Sequence, residues 1–147
     1  MGQLVISAAV RDELVAHARS GAPAEVCGIL AGKSNEQGSE DAVGERFVER
    51  QHSVENTAIN QQSRYEIDPR EQLAVMEEIE ANGREVVGFY HSHPAGPPEP
   101  SATDVAEATW PDKSYVILFC DDGEWSLGSW NWTGDEFVRE QVRVVEE

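Results

Sequence analysis

The chain has 147 residues, room for one domain of ordinary size, and its 39% hydrophobic content with four Trp can build a packed core. Its 28 acidic residues against 11 basic ones give a formal charge of −17, which repels phosphate backbones and sets nucleic-acid binding aside. No window approaches the ~18 unbroken apolar residues of a membrane span, and the N-terminus lacks a basic start before an apolar run, so a protein that stays in the cytoplasm, away from membranes, is expected.

Residues 4–6 read as a short strand, followed by a helix over residues 8–20 that Ser7 caps. Val10, Leu14, Val15 and Ala18 share one side of that helix, and Gly21 is expected to end it. Residues 26–32 are apolar with little alternation, the pattern of a strand covered on both faces. Residues 33–45 are polar and contain glycine, and a mobile loop is expected there. Residues 46–54 alternate enough for a strand, and residues 56–63 are irregular. Asp68-Pro69-Arg70-Glu71 combines a capping Asp, proline at the first helical position and Glu three residues after the cap. The helix it starts is expected to run to about Ala81, with Leu73, Met76 and Ile79 facing in and Gly83 stopping it. Residues 86–90 are a second buried strand, leading into a rigid loop with Pro94, Pro97, Pro98 and Pro100. Ser101 opens a short helix to about Thr109. Residues 115–120, the Asp121-Asp122-Gly123 turn, and residues 124–132 and 136–145 read as an antiparallel meander. The expected fold class is mixed α/β (α+β), a single domain over residues 1–147 with a curved, mostly antiparallel sheet flanked by a few helices.

Lys33 and Lys113 are the only lysines, beside nine arginines. An acidic, lysine-poor surface suits a high-salt cytoplasm, where screening shortens the Debye length to ~3 Å at 1 M. A surface kept acidic for solubility is the plainer alternative. Cys27 and Cys120 both stand in strand-like apolar runs, so they read as buried small hydrophobes in a reducing compartment. A catalytic role for Cys27 has no activating context in the sequence.

The chemistry concentrates in Gly88-Phe89-Tyr90-His91-Ser92-His93-Pro94 and Ser101-Ala102-Thr103-Asp104. If His91 and His93 continue the strand, the period of two places both imidazoles on one face, ~6–7 Å apart along it. The proline loop then returns the chain so that Asp104, in the first turn of the next helix, supplies an oxygen. Two histidines and one carboxylate leave a fourth tetrahedral position for water, the pattern of a catalytic zinc site with one ion per chain. Ser101-x-x-Asp104 taken alone has the form of a capping box with Asp in place of Glu. His17 and His52 have no ligand partner in sequence and read as surface or satisfied histidines. A water-activating site also needs a base. Glu25 stands at the mouth of a buried strand, where desolvation raises a carboxyl toward working pH, although on its local sequence alone a solvated loop acid is the better reading.

His91-Ser92-His93, seven residues, Ser101, two residues and Asp104 resemble the signature of the JAMM (MPN+) zinc metalloprotease family. Pro23-x-Glu25-x-Cys27-Gly28-x-Leu30-x-Gly32 is similar to the family's upstream glutamate motif. Asn56 and the run Tyr65-Glu66-Ile67-Asp68-Pro69 resemble landmarks between the two. The likeness covers residues 23–119 and implies an MPN-like domain. It further implies that His91, His93 and Asp104 hold Zn2+, that Glu25 is the general acid/base, that Ser101 stabilises the oxyanion and that Ser92 supports the site. The implied activity is isopeptide hydrolysis between the C-terminal glycine of a ubiquitin-like modifier, of the archaeal SAMP type, and a protein lysine. Release of an amino acid or small adduct from a sulfur-carrier protein is the alternative. A narrow modifier tail is expected to lie as an added strand beside the sheet edge near the proline loop. Nothing in the sequence resembles the insertions that eukaryotic relatives use to recognise polyubiquitin, so linkage specificity stays open, as does the oligomeric state. A zinc nucleobase deaminase is set aside because Pro-Cys-x-x-Cys is absent, and a His-Glu-x-x-His helix is absent too. The intact set argues against a non-catalytic scaffold.

Overall fold

The computed structural model describes residues 3–35 and 45–146. In chain order it contains β1 (Gln3–Ser7), α1 (Ala8–Gly21), β2 (Cys27–Asn35), β3 (Glu45–Val54), α2 (Pro69–Ala81), β4 (Glu85–His93), α3 (Ala102–Glu107), β5 (Ser114–Asp121), β6 (Glu124–Trp132) and β7 (Phe137–Val145). Among the described residues no helix is long and apolar enough to cross a membrane.

The mixed α/β class is as expected, but the sheet is more than curved: it closes in the order β1-β3-β2-β4-β5-β6-β7. Four pairings are antiparallel (β2 with β3 and β4, β6 with β5 and β7), and three are parallel (β1 with β3 and β7, β4 with β5). Closure removes the free edge expected near the proline loop, because β4 is flanked by β2 on one side and β5 on the other. An added strand has no ladder to join there.

Two apolar clusters sandwich the central strands. One packs α1, through Val10, Leu14 and Ala18, onto Leu4, Ile6, Leu30, Val87, Tyr90 and Leu118. The other packs α2, through Ile79 with Val75 and Met76 against it, onto Cys27, Ile29, Phe89 and Tyr115. This double cover explains the unalternating apolar run of β2. Leu73 is a correction: it is 59% exposed, and the inward face of α2 runs through Val75, Met76 and Ile79. Each helical residue turns ~100°, so an assignment displaced to Leu73 moves a side chain off the buried stripe.

The helix starts follow the sequence. Ser7 Oγ accepts from Val10 N–H at 3.1 Å, and the Asp68 carboxylate accepts from Arg70 N–H at 2.8 Å. Gly83 ends α2 at φ 76°, whereas α1 ends because Ala22, ahead of Pro23, takes an extended ψ of 140°. α3 is shorter than expected, since Thr109 and Trp110 turn their N–H groups to Tyr115 Oη. Residues 33–35 extend β2 and Glu45 begins β3, so the expected 33–45 loop is trimmed at both ends. Its remainder, 36–44, lies outside the described residues.

Candidate metal centre

The pairing of β2 with β4 shifts register between Leu30/Gly88 and Ala31/Val86, leaving Val87 as an extra residue on β4. Such a bulge resets the alternation. Beyond it Phe89 faces the α2 cluster and Tyr90 the α1 cluster, so His91 and His93 share the α2 side and Ser92 the other. Gly28 permits the close approach of Tyr90 beneath this segment, where a Cβ would lie 2.2 Å from the Tyr90 ring.

The expected cluster forms. His91 Nε2 and His93 Nε2 are 3.1 Å apart. Asp104 Oδ1 lies 3.2 Å from His91 Nε2, and Asp104 Oδ2 lies 3.1 Å from His93 Nε2. Both imidazoles are buried, at 1% and 4% exposure. Ser101 and Asp104 form a true capping box: Asp104 N–H donates to Ser101 Oγ at 3.1 Å and Ser101 N–H to Asp104 Oδ2 at 2.8 Å. The box aims the Asp104 carboxylate at the two histidines. The Ser101 hydroxyl proton is not used by that box.

His93 Nδ1–H donates to the Pro97 carbonyl at 2.9 Å, so that Nε2 carries the lone pair when the ring is neutral. Nitrogens of two imidazoles and the oxygens of a carboxylate thus meet at 3.1–3.2 Å, a donor set that a cation can draw together. A tetrahedral ion with ligands at ~2.0–2.1 Å separates them by ~3.3–3.4 Å, so the observed edges fit a small divalent cation, and the donor set suits zinc. A carboxylate oxygen of Glu25 also lies within 4.8 Å of the two ring nitrogens, but Asp104 is nearer to both. Of the two carboxylates, Asp104 is the one in direct contact with both histidines. Glu25 is buried at 7% exposure, and its Oε1 has no hydrogen-bond partner. A cleft of about 270 Å³ opens here, lined among others by Glu25, Ser63, His93, Pro97 and Ser101.

The model for prokaryotic homologs of the JAB domain matches residues 7–133. The chain belongs to the JAB family. It is, with that family, a hydrolase of the JAMM isopeptidase type. It is 46% identical over 147 residues to the desampylase of Haloferax volcanii, covering 97% of this chain and 96% of that one. It is 35% identical over 145 residues to the CysO-cysteine peptidase of Mycobacterium tuberculosis, covering 98% and 92%. The solution structure of a protein from Desulfitobacterium hafniense superposes with a TM-score of 0.84 at 31% identity, covering 98% and 94%.

The JAB site is electrostatically divided. Burial raises Glu25 to about 7, with His93 pulling it down and Asp104 pushing it up. Burial also disfavours the Asp104 carboxylate, but hydrogen bonds from His91, His93 and the Ser101 backbone outweigh it and hold the carboxyl well below its ordinary value. Burial lowers His91; for His93 the bonds to Asp104 and Pro97 overcome burial and raise it. Ser92 ties the halves of the JAB site together, accepting from Val26 N–H at 2.9 Å and donating its own N–H to the Val26 carbonyl at 3.1 Å.

His17 is a satisfied histidine, 2.7 Å from Tyr90 Oη, and His52 pairs opposite Ile29 on β3; neither joins the cluster. The Cys27 thiol is pushed up to about 12, first by burial, and both cysteines are free. Two residues placed by sequence only as landmarks bear on the JAB site directly. Tyr65 stacks on His91, and Asn56 bonds the backbone of Glu25. Neither carries a charge or a periodicity that sequence reading registers.

Proposed function

We propose that this protein is a zinc-dependent isopeptidase that cleaves the bond between the C-terminal glycine of a ubiquitin-like modifier and a protein lysine. The convergence of His91, His93 and Asp104 within 3.1–3.2 Å, beside an unpartnered buried Glu25 oxygen, carries the reading. His91, His93 and Asp104 would hold one Zn2+, which when bound supplies Lewis-acid polarisation of the scissile carbonyl and acidifies a water. Glu25 takes the proton of the attacking water and returns it to the departing lysine amine. Burial raises this carboxyl to about 7 in the metal-free protein, and a bound dication would draw it down toward the carboxylate that accepts the water proton. Ser101 keeps its hydroxyl proton free of the capping box and donates a hydrogen bond to the oxyanion that develops on the carbonyl.

The relative named desampylase supports a SAMP-type modifier as substrate. A second reading, release of an adduct from a sulfur-carrier protein, is supported by the relative named CysO-cysteine peptidase. The whole chain, 1–147, acts as one domain in a reducing, salt-rich cytoplasm, in keeping with two free thiols and the charge of −17. Purified protein is assayed in high salt on a lysine-linked modifier conjugate and on a carrier–cysteine adduct, each with and without chelator. Chelator-sensitive release from the conjugate is expected, and preferential cleavage of the adduct would move the assignment to the second reading. No cleavage of either substrate by zinc-loaded protein would overturn both.

A further inference from the structure

The loop over residues 56–66 holds the Glu25 backbone from both sides. Glu25 N–H donates to the Gln61 carbonyl at 2.6 Å, and the Glu25 carbonyl accepts from Asn56 Nδ2 at 2.9 Å. The Asn56 amide spends its remaining capacity on the same loop. Nδ2 also donates to the Arg64 carbonyl at 3.1 Å, and Oδ1 accepts from the N–H groups of Ala58 and Glu66, both at 3.0 Å. These four bonds use the full complement of a primary amide. Gln61 closes the ring by donating its side-chain amide to the Asn56 carbonyl at 2.9 Å. An ion pair between Arg64 and Glu107 then ties the loop to α3, the helix that carries Asp104.

Glu25 Oε1, by contrast, is buried with no partner. The reach of this carboxylate toward the histidines is therefore set largely by where its peptide is held. We propose that Asn56 is a positioning residue for the reaction, fixing the Glu25 peptide so that the carboxylate meets its water at the correct distance. The proposal rests on the reading of Glu25 as proton carrier. Misplacing a reacting group by ~1 Å costs on the order of 100-fold in rate, so a single amide holding that peptide has a large effect within its reach.

Asn56→Asp is the discriminating variant. It keeps an acceptor for Ala58 and Glu66 but sets an oxygen against the carbonyls of Glu25 and Arg64, releasing the Glu25 side of the clamp. In zinc-loaded full-length protein kcat is expected to fall ~10–100-fold, with KM within about twofold and zinc content unchanged. Placed in a Glu25→Gln background, the same substitution is expected to change the residual rate by less than about twofold, because its effect runs through the missing carboxylate. A folded Asn56→Asp protein with kcat close to the parent overturns the proposal. So does an equal loss in both backgrounds, the signature of a merely structural role. Full activity of Glu25→Gln alone would instead remove the Glu25 assignment, a separately read result. If Asn56→Asp does not fold, amide exchange in the unaltered protein decides. The N–H groups of Glu25, Ala58 and Glu66 are expected to open as one unit, and exchange at Glu25 roughly tenfold faster than at the other two overturns the clamp.

Discussion

Tyr65 lies stacked on His91, with ring centroids 4.5 Å apart and planes 23° from parallel, and this contact does for His91 what a hydrogen bond does for His93. His93 Nδ1 is anchored on the Pro97 carbonyl, whereas His91 Nδ1 is buried without a partner. Ring orientation at His91 therefore depends on aromatic packing. Tyr65→Ala is expected to weaken zinc binding by roughly 10–100-fold, the usual cost of losing a group that orients a ligand, and Tyr65→Phe to preserve it. Competition against a chromogenic chelator measures both, and undiminished affinity in Tyr65→Ala would mean that the strand alone holds the ring.

Glu25 and Asp104 should respond to pH in opposite senses. With Glu25 raised to about 7 by burial, the metal-free native state keeps a proton between about pH 4.3 and pH 7 that the unfolded chain has released. Its contribution to stability is thus present at low pH and lost as pH rises through that window. Asp104, held below its ordinary value, contributes stability above about pH 4 that is lost on acidification. A bound dication favours the Glu25 carboxylate and pulls its titration down. Carbon-detected NMR of the chelated protein is expected to place the Glu25 carboxyl near 7 and to shift it lower on adding zinc. Glu25→Gln should abolish that titration, retain zinc and lower kcat by about 10²–10⁴-fold. An unchanged rate in that variant would falsify the proton-carrier role.

The local parts of this molecule were legible in sequence and the nonlocal parts were not. His91, His93 and Asp104 declare themselves because a strand period, a proline loop and a helix cap lie within 14 positions (104 − 91 + 1). Glu25 reaches them only through tertiary pairing, Val26 meeting Ser92 across 66 positions, and only family likeness could single it out among 28 acids. Barrel closure was hidden for the same reason: β1 joins β3 and β7 in parallel, and no turn signal marks such pairings. Leu73 stays exposed against expectation because apolar spacing alone does not say which stripe of α2 meets β4.

The cap made by Ser101 and the oxyanion role proposed for it are separable. Its Oγ accepts the Asp104 N–H, and the residue lines the cleft beside Glu25 and His93. Ser101→Ala removes both and is expected to lower stability by about 1 kcal/mol through the lost cap. The same change should lower kcat by ~10²–10³-fold through the lost oxyanion donor, with zinc retained. Ser101→Gly costs only a few tenths of a kcal/mol as a cap but removes the same donor. Comparing kcat with melting temperature for the pair therefore separates the roles. A rate loss that tracks stability across both variants would reduce Ser101 to a cap.

Charge at the surface and charge in the interior should part company in salt. At −17 the surface repels itself, and a Debye length of ~3 Å at 1 M removes most of that repulsion, so the melting temperature is expected to climb with KCl. Glu140 is shielded from the solution. Its side chain is 1% exposed, accepts from Ser114 and Ser129 at 2.5 and 2.6 Å, and lies 3.4 Å from the Arg46 guanidinium. These contacts link β3, β5, β6 and β7 across the closed sheet. Glu140→Ala leaves Arg46 without its carboxylate and should cost about 3–5 kcal/mol, by a similar amount in low and high KCl. Urea unfolding of both proteins across a KCl series reads the two effects together. Stability that declines with salt in the parent would remove the high-salt reading, and a Glu140→Ala deficit that KCl erases would show the pair to be open to solvent after all.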